Sequence, residues 1–413
     1  MVTNYKTAKE DVLRYYEELL EIVDASGFSK TDTSLEALRV QADRIKEDKF
    51  CLMIAGEAKS GKSTFINAYL GTDILPMDVR QCTSSVVEIR YGAEFVLNAT
   101  YADGKIKSIK GESAITDFLT TNAALDDEYR DIPIPTINNE IIVKYQDKKI
   151  EEVVIQDLLK GVERENIHRL PVEEYNRKIR EYIKKKQPQW RTVVTKIEIE
   201  YPFEDKNIRG VRIIDSPGVN ATGKVGDVTA EYIESADAIM FLRPITGVAI
   251  EANSFKEFLE SKSVDRNKNA MFLILTRAAA ESDETISRAY EEFVNMFGIQ
   301  KDQSGHGIVK EQIIPVDSKA ELYYNEFQIL TTEEIKEKIK TLNSEKKIEP
   351  FVKAAWFDSD GEKDAFLAEL KRLSNFNVID QSMNRFGRKA QFIALSEFLE
   401  RMLKVYTKIA ASL

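Results

Sequence analysis

Residues 50–65, FCLMIAGEAKSGKSTF, constrain this chain more than any other segment. A short apolar run leads straight into glycine, the pattern of a strand buried on both faces of a covered sheet. The loop GEAKSGKS (residues 56–63) separates that strand from STFINAYLG, which reads as the start of a helix. Glycines at such a bend let the backbone turn and present its N–H groups, and a helix N-terminus behind them favours anions. In this strand–loop–helix setting GxxxxGKS is a phosphate cradle, and a chance glycine turn would lack the flanking elements. The expected contacts are Gly56, Glu57, Ala58, Lys59, Ser60, Gly61, Lys62, Ser63 and Thr64. Lys62 is expected to reach the β- and γ-phosphates of a nucleoside triphosphate, and Ser63 to ligate Mg²⁺.

Two later segments fit the same chemistry. The strand RGVRIID ends in DSPG (residues 215–218), where Asp215 can hold magnesium and the Gly218 N–H can sense the γ-phosphate. Between this motif and the glycine loop lies CTSS (residues 82–85), whose Thr83 is the candidate hydroxyl that closes on Mg²⁺. Its inference rests on order along the chain, since a lone threonine says little.

Apolar strands at residues 235–242, 270–276 and 312–318 alternate with helical stretches, which implies an α/β layer with a mostly parallel central sheet and helices on both faces. An Asp103-Gly104 pair between alternating segments predicts a hairpin. Residues 5–25 carry one apolar helical face closed by Gly27, and a second helix begins at Thr33, with Thr33 and Glu36 placed for a capping box. The last helix spaces Phe392, Leu395, Leu399, Met402, Tyr406 and Ile409 by threes and fours. Such stripes need partners, so the two ends are expected to meet in a helical bundle beside the α/β domain. The expected division is residues 1–47 and 326–413 for the bundle and 48–325 for the nucleotide domain. The stripe still runs at the last residue, as expected of a piece of a longer chain.

Composition excludes other classes. The chain has 413 residues and a formal net charge of −10, a poor match to sequence-independent nucleic-acid binding, which needs cationic contacts to phosphates. Arg177, Arg180 and Lys184–Lys186 read as a solvated helix face. Cys51 and Cys82 lie outside any metal spacing, as do His168 and His306, and Cys51 reads as a small core residue. Trp190 and Trp356 read as packing residues. With no leader and no apolar run near 18 residues, a cytoplasmic protein is expected, with any membrane contact peripheral.

The order of phosphate loop, loop threonine, DxPG and polar strand end is that of regulatory GTPases, and the local text resembles the dynamin superfamily, within it the bacterial dynamin-like proteins. The carrying residues are GKST at Gly61, VEIRYG at Val87, DSPGVNA at Asp215 and TAEYIESADAIMFL at Thr229. The resemblance implies GTP as substrate with Mg²⁺, extra strands and helices between Thr83 and Asp215, self-association across the nucleotide face, and contact with a membrane or a partner dynamin-like protein. Three departures stand out. Lys59 occupies a position where guanylate-binding proteins and atlastins carry an arginine; it is either a cis cationic finger or a solvent-facing loop lysine. The base-reading motif, Asn/Thr-Lys-x-Asp in the family, is here Thr276, Arg277, Ala278, Ala279. Arg277 can pack its planar head on the base, but Ala279 accepts nothing, which leaves Asp283, or Asp317 in the loop Asp317-Ser318-Lys319, as substitutes and ATP or mixed use as an alternative to GTP. No basic amphipathic insertion suited to lipid remodelling is found. The expectation is a mechanochemical GTPase; the alternatives are a nucleotide-gated interaction module with little hydrolysis and a P-loop kinase or ATPase of another family.

Overall fold

The computed structural model describes residues 5–28, 33–46, 50–56, 60–75, 86–122, 139–156, 172–203, 211–215, 236–246, 271–297 and 308–412. Helices α1 (Tyr5–Ser26) and α2 (Thr33–Lys46) precede β1 (Phe50–Gly56) and α3 (Lys62–Leu70). Strands β2 (Val86–Tyr91), β3 (Val96–Tyr101) and β4 (Ile106–Lys110) lead to α4 (Glu112–Asn122), α5 (Asn139–Tyr145) and α6 (Val172–Lys186). Then come β5 (Val194–Tyr201), β6 (Val211–Asp215), β7 (Ala238–Pro244), β8 (Met271–Thr276), α7 (Asp283–Phe297) and β9 (Ile313–Pro315). Helices α8 (Ser318–Gln328), α9 (Thr332–Ser344), α10 (Pro350–Asp358), α11 (Lys363–Ser374) and α12 (Phe376–Ser412) complete the chain.

The nine strands form one sheet in the order β4-β3-β5-β2-β6-β1-β7-β8-β9. Strands β6, β1, β7, β8 and β9 pair in parallel, while β2 runs antiparallel to β6. The β3–β4 hairpin extends one edge and turns at Gly104, whose φ of +82° suits glycine. The period-two alternation of a strand divides the core between the two faces. Leu52 and Ile54 of β1 face a cluster with Phe65 and Ile66 of α3 and Phe118 of α4; Cys51, Met53 and Ala55 face another with Phe293 and Phe297 of α7. Helices therefore cover both faces, which is why β1, β7 and β8 read as unbroken apolar runs.

Between β4 and β5 the chain builds a satellite core around Tyr145, Ile179, Ile183 and Trp190, so Trp190 is a packing residue, as expected. Trp356 meets Phe366 edge to face, with centroids 5.1 Å apart. Lys184 and Lys185 are exposed on α6. Cys51 is buried, and burial pushes its thiol up to about 11 against the pull of Arg212. His168 and His306 lie outside the described residues, as does the side chain of Thr33.

The chain ends meet through α12. Val12, Tyr16, Leu19 and Val23 of α1 and Leu35, Leu38, Ala42 and Ile45 of α2 share a cluster with Leu395, Phe398, Met402, Val405 and Ile409 of α12. The buried stripe thus differs from the expected one: Phe398 and Val405 are inside, whereas Phe392, Leu399 and Tyr406 are exposed. Helix α12 is apolar on more than one face, and α1 and α2 cover one of them. The boundary expected at 325/326 falls inside α8. Helices α9, α10 and α11 share a core with Phe327 of α8, not the bundle cluster. Phe398 is fully buried against Tyr16, with ring centroids 5.4 Å apart. Phe398→Ala should cost the bundle ~3–5 kcal/mol, read as a lower urea midpoint with faster amide exchange in α1 and α2 than in β1.

Candidate functional site

The carboxyl ends of the parallel strands converge, the usual ligand edge of an open α/β sheet. In register, Ile54 of β1 lies beside Asp215 of β6, and Gly56 lies beside Leu242 of β7. Gly56 has φ +142°, and a Cβ there would stand 2.3 Å from the Leu242 carbonyl oxygen. Only glycine passes this point, so the loop after β1 is bent by the close approach of two strands. Gly61, at φ +91°, starts α3 with no side-chain cap among the described residues, and a helix N-terminus favours anions.

Lys62 is 1% exposed and donates from Nζ to the Gly56 carbonyl at 3.0 Å. Its charge stands near Asp215. Burial raises the Asp215 carboxyl to about 6, with Lys62 pulling the other way, and Oδ1 of Asp215 is buried with no hydrogen-bond partner among the described residues. An orphaned carboxylate oxygen beside the start of α3, where Ser63 adds a hydroxyl, fits a hard divalent cation such as Mg²⁺. Among the described residues no cluster of three or more His, Cys, Asp or Glu side chains is present. Ser60 is also buried, with no partner for its Oγ among the described residues.

Thr276 ends β8 beneath this loop. Its hydroxyl lies 2.9 Å from the Ser60 carbonyl and 3.2 Å from that of Arg243. It thus pins the phosphate loop from below, a supporting part where a nucleotide contact was expected. Arg277 is exposed and left-handed, at φ +66°. Asp317 is 4% exposed; its carboxylate accepts from Ala279 N at 3.1 Å and from Ala320 N at 3.0 Å. Ser318 is buried beside it, and Lys319 is ion-paired with Glu349. Asp283 stands away from this group, 84% exposed and 3.8 Å from Arg372. Glu57, Ala58, Lys59, Thr83 and Gly218 lie outside the described residues.

Two sets of residues escaped sequence reasoning. Asn67, fully buried on α3, accepts from Ile74 N and Leu75 N and donates to the Leu75 carbonyl, which anchors the chain where it leaves α3. A lone amide among the apolar residues of FINAYL was the available signal. The second set ties the loop after β9 to the junction between α11 and α12: Asp317 N donates to the Ser374 carbonyl at 3.0 Å, and Asn375 Nδ2 donates to the Pro315 carbonyl at 2.8 Å. These partners are about sixty residues apart, and nothing local marks them.

A glycine loop between a central parallel strand and an uncapped helix, with a strand-end aspartate beside its lysine, defines a P-loop nucleotide-binding domain. Similarity to known proteins narrows that class. The family model of the dynamin family matches residues 52–278, more than half of the chain, and the chain belongs to that family, the dynamin-like GTPases. An uncharacterised protein of the xynA 3′ region of Caldicellulosiruptor sp. is 24% identical over 97% of this chain and 79% of its own length. A bacterial dynamin-like protein of Nostoc punctiforme is 24% identical over 53% of this chain and 24% of its own; dynamin-like protein A of Bacillus subtilis is 25% identical over 77% and 26%. This chain therefore spans about a quarter of the last two. A solved structure of an oligomerised bacterial dynamin pair matches with a TM-score of 0.41 at 14% identity, covering all of this chain and 57% of that one. No helix among the described residues is long and apolar enough to cross a membrane.

Gly56→Ala should fold less stably, the backbone strain alone costing ~1–3 kcal/mol, and should lose triphosphate binding in calorimetry. Ser63→Ala and Asp215→Ala should weaken Mg²⁺-nucleotide binding; unchanged affinity in both would place the cation elsewhere.

Proposed function

We propose that this chain hydrolyses GTP to GDP and phosphate and couples that reaction to movement of its helical bundle. One observation supports the coupling above others. Phe65, two residues beyond Ser63, meets Phe376 with ring centroids 5.3 Å apart, and Phe376 is the first residue of α12. Phe376 and Ile379 belong to the nucleotide-domain core, while Leu395 to Ile409 of the same helix belong to the bundle. A helix of 37 residues spans roughly 55 Å, so a small displacement at α3 becomes a large one at the far end.

In this reading the loop N–H groups and the start of α3 hold the phosphates, and Lys62 leaves the Gly56 carbonyl for the β- and γ-phosphates. The oxygens of Ser63, Thr83 and Asp215 are the set that holds Mg²⁺, whose chemistry there is neutralisation of phosphate charge. Gly218 N–H senses the γ-phosphate, and Lys59 is the cis cation that stabilises charge developing in the transition state. Pairing of two chains across the nucleotide face and contact with a membrane or a partner dynamin-like protein are carried over from the family resemblance.

Phosphate release from GTP, followed against protein concentration, tests this. Specific activity should rise with concentration, Lys62→Ala should abolish turnover, and Lys59→Ala should lower kcat by roughly 100-fold. Constant specific activity removes the pairing, and no release at any concentration leaves a nucleotide-gated binding module. Phe376→Ala should keep turnover but lose the nucleotide-dependent change in distance between labels on β4 and the end of α12.

A further inference from the structure

The base pocket has a chemical requirement that the sequence motif does not meet. Guanine presents two adjacent donors, N1–H and the 2-amino group, and a carboxylate with two acceptor oxygens complements them. Ala279 supplies no acceptor. At this edge, among the described residues, Glu281 accepts from Thr246 at 3.1 Å, Glu321 is ion-paired with Lys371 at 2.6 Å, and Asp283 is exposed near Arg372. Asp317 remains, and its position is distinctive. Past the ends of β8 and β9 the pairing continues: Val316 N donates to the Leu275 carbonyl at 2.8 Å, and Ala278 N donates to the Val316 carbonyl at 3.1 Å. The two loops are thereby zipped together, and the Asp317 carboxylate reaches across to Ala279 N, the residue that lacks an acceptor of its own.

We propose that Asp317, delivered from the loop after β9, is the residue that reads guanine in this chain, replacing the carboxylate missing from the loop after β8. The inference rests on the GTPase reading above and assigns its base specificity. Asp317 also caps α8, but a cap alone does not account for it. Serine or threonine caps a helix start as well, and a carboxylate here is costly: burial raises its pKa, opposed by the N–H groups of Ala320, Ala279 and Lys319. Those three backbone donors leave about one of a carboxylate's four lone-pair sites, enough to accept from the 2-amino group, the donor that separates guanine from hypoxanthine. Beside it Ser318 Oγ is buried without a hydrogen-bond partner among the described residues, so its hydroxyl is free to donate to a base acceptor such as O6.

Binding of the Mg²⁺ salts of GTP, ITP, XTP and ATP, measured by calorimetry on the whole chain, tests this. ITP lacks only the 2-amino group, and XTP carries an acceptor in its place. The native protein should prefer GTP over ITP by at least about 10-fold, the worth of one hydrogen bond to a charged group. Asp317→Ser keeps a cap and should bind ITP as the native protein does while losing the GTP preference. Asp317→Asn should bind XTP more tightly than GTP, because its amide donates where the carboxylate accepted; a purely structural role would not reverse the preference. A folded Asp317→Ser that still prefers GTP over ITP overturns the inference and leaves the GTPase reading standing. If Asp317→Ser loses ITP as well, absence of any gain for XTP in Asp317→Asn overturns it. A native chain that binds GTP and ATP equally also overturns it, and a native chain that binds no triphosphate removes the underlying reading.

Discussion

A buried lysine is the constraint around which this sheet edge is arranged. Lys62 is almost wholly removed from water, and an unpaired ammonium there would be untenable. The Gly56 carbonyl accepts from it, and the Asp215 carboxylate at the end of the adjacent strand stands near enough for the two charges to act on each other. That arrangement requires β1 and β6 to be neighbours in parallel register. It requires a glycine at the end of β1, because β7 passes too close for a side chain. It also requires the loop to be held from below, which Thr276 does from β8.

The same edge is joined to the rest of the molecule through one helix. Helix α12 starts beside Phe65 and ends among α1 and α2. Asn375, just before it, adopts a left-handed conformation at φ +56° and hydrogen-bonds back to Pro315. Ser374 accepts from Asp317 N. The start of α12 is therefore fixed both to α3, through Phe65, and to the loop after β9. Helices α8 to α11 form their own core between these attachments.

Much of the fold was legible because its signals are local. Strand, glycine loop and helix follow one another within residues 50–70, and unbroken apolar runs marked the central strands. The Asp103-Gly104 hairpin and the amphipathic ends were equally direct. Sequence reasoning placed Leu395, Met402 and Ile409 of α12 correctly but took Phe392, Leu399 and Tyr406 in place of Phe398 and Val405, since spacing reports that a face is apolar and not which neighbour covers it. It gave Thr276 to the nucleotide, although its hydroxyl serves the Ser60 carbonyl. It could not choose between Asp283 and Asp317, because that choice depends on how two loops zip together beyond their strands.

By itself the sequence determined the chemistry of the phosphate site: the spacing of Gly56, Gly61, Lys62 and Ser63 within one strand–loop–helix unit leaves little else for those residues to do. The tertiary structure alone decided which carboxylate faces Ala279, which hydroxyl supports the loop, and which helix joins the nucleotide domain to the bundle. The physical reason is range. Dihedral preference and periodicity act over a few residues, whereas these contacts join Ser60 to Thr276, Phe65 to Phe376 and Ala279 to Asp317, and are set by strand order and helix packing.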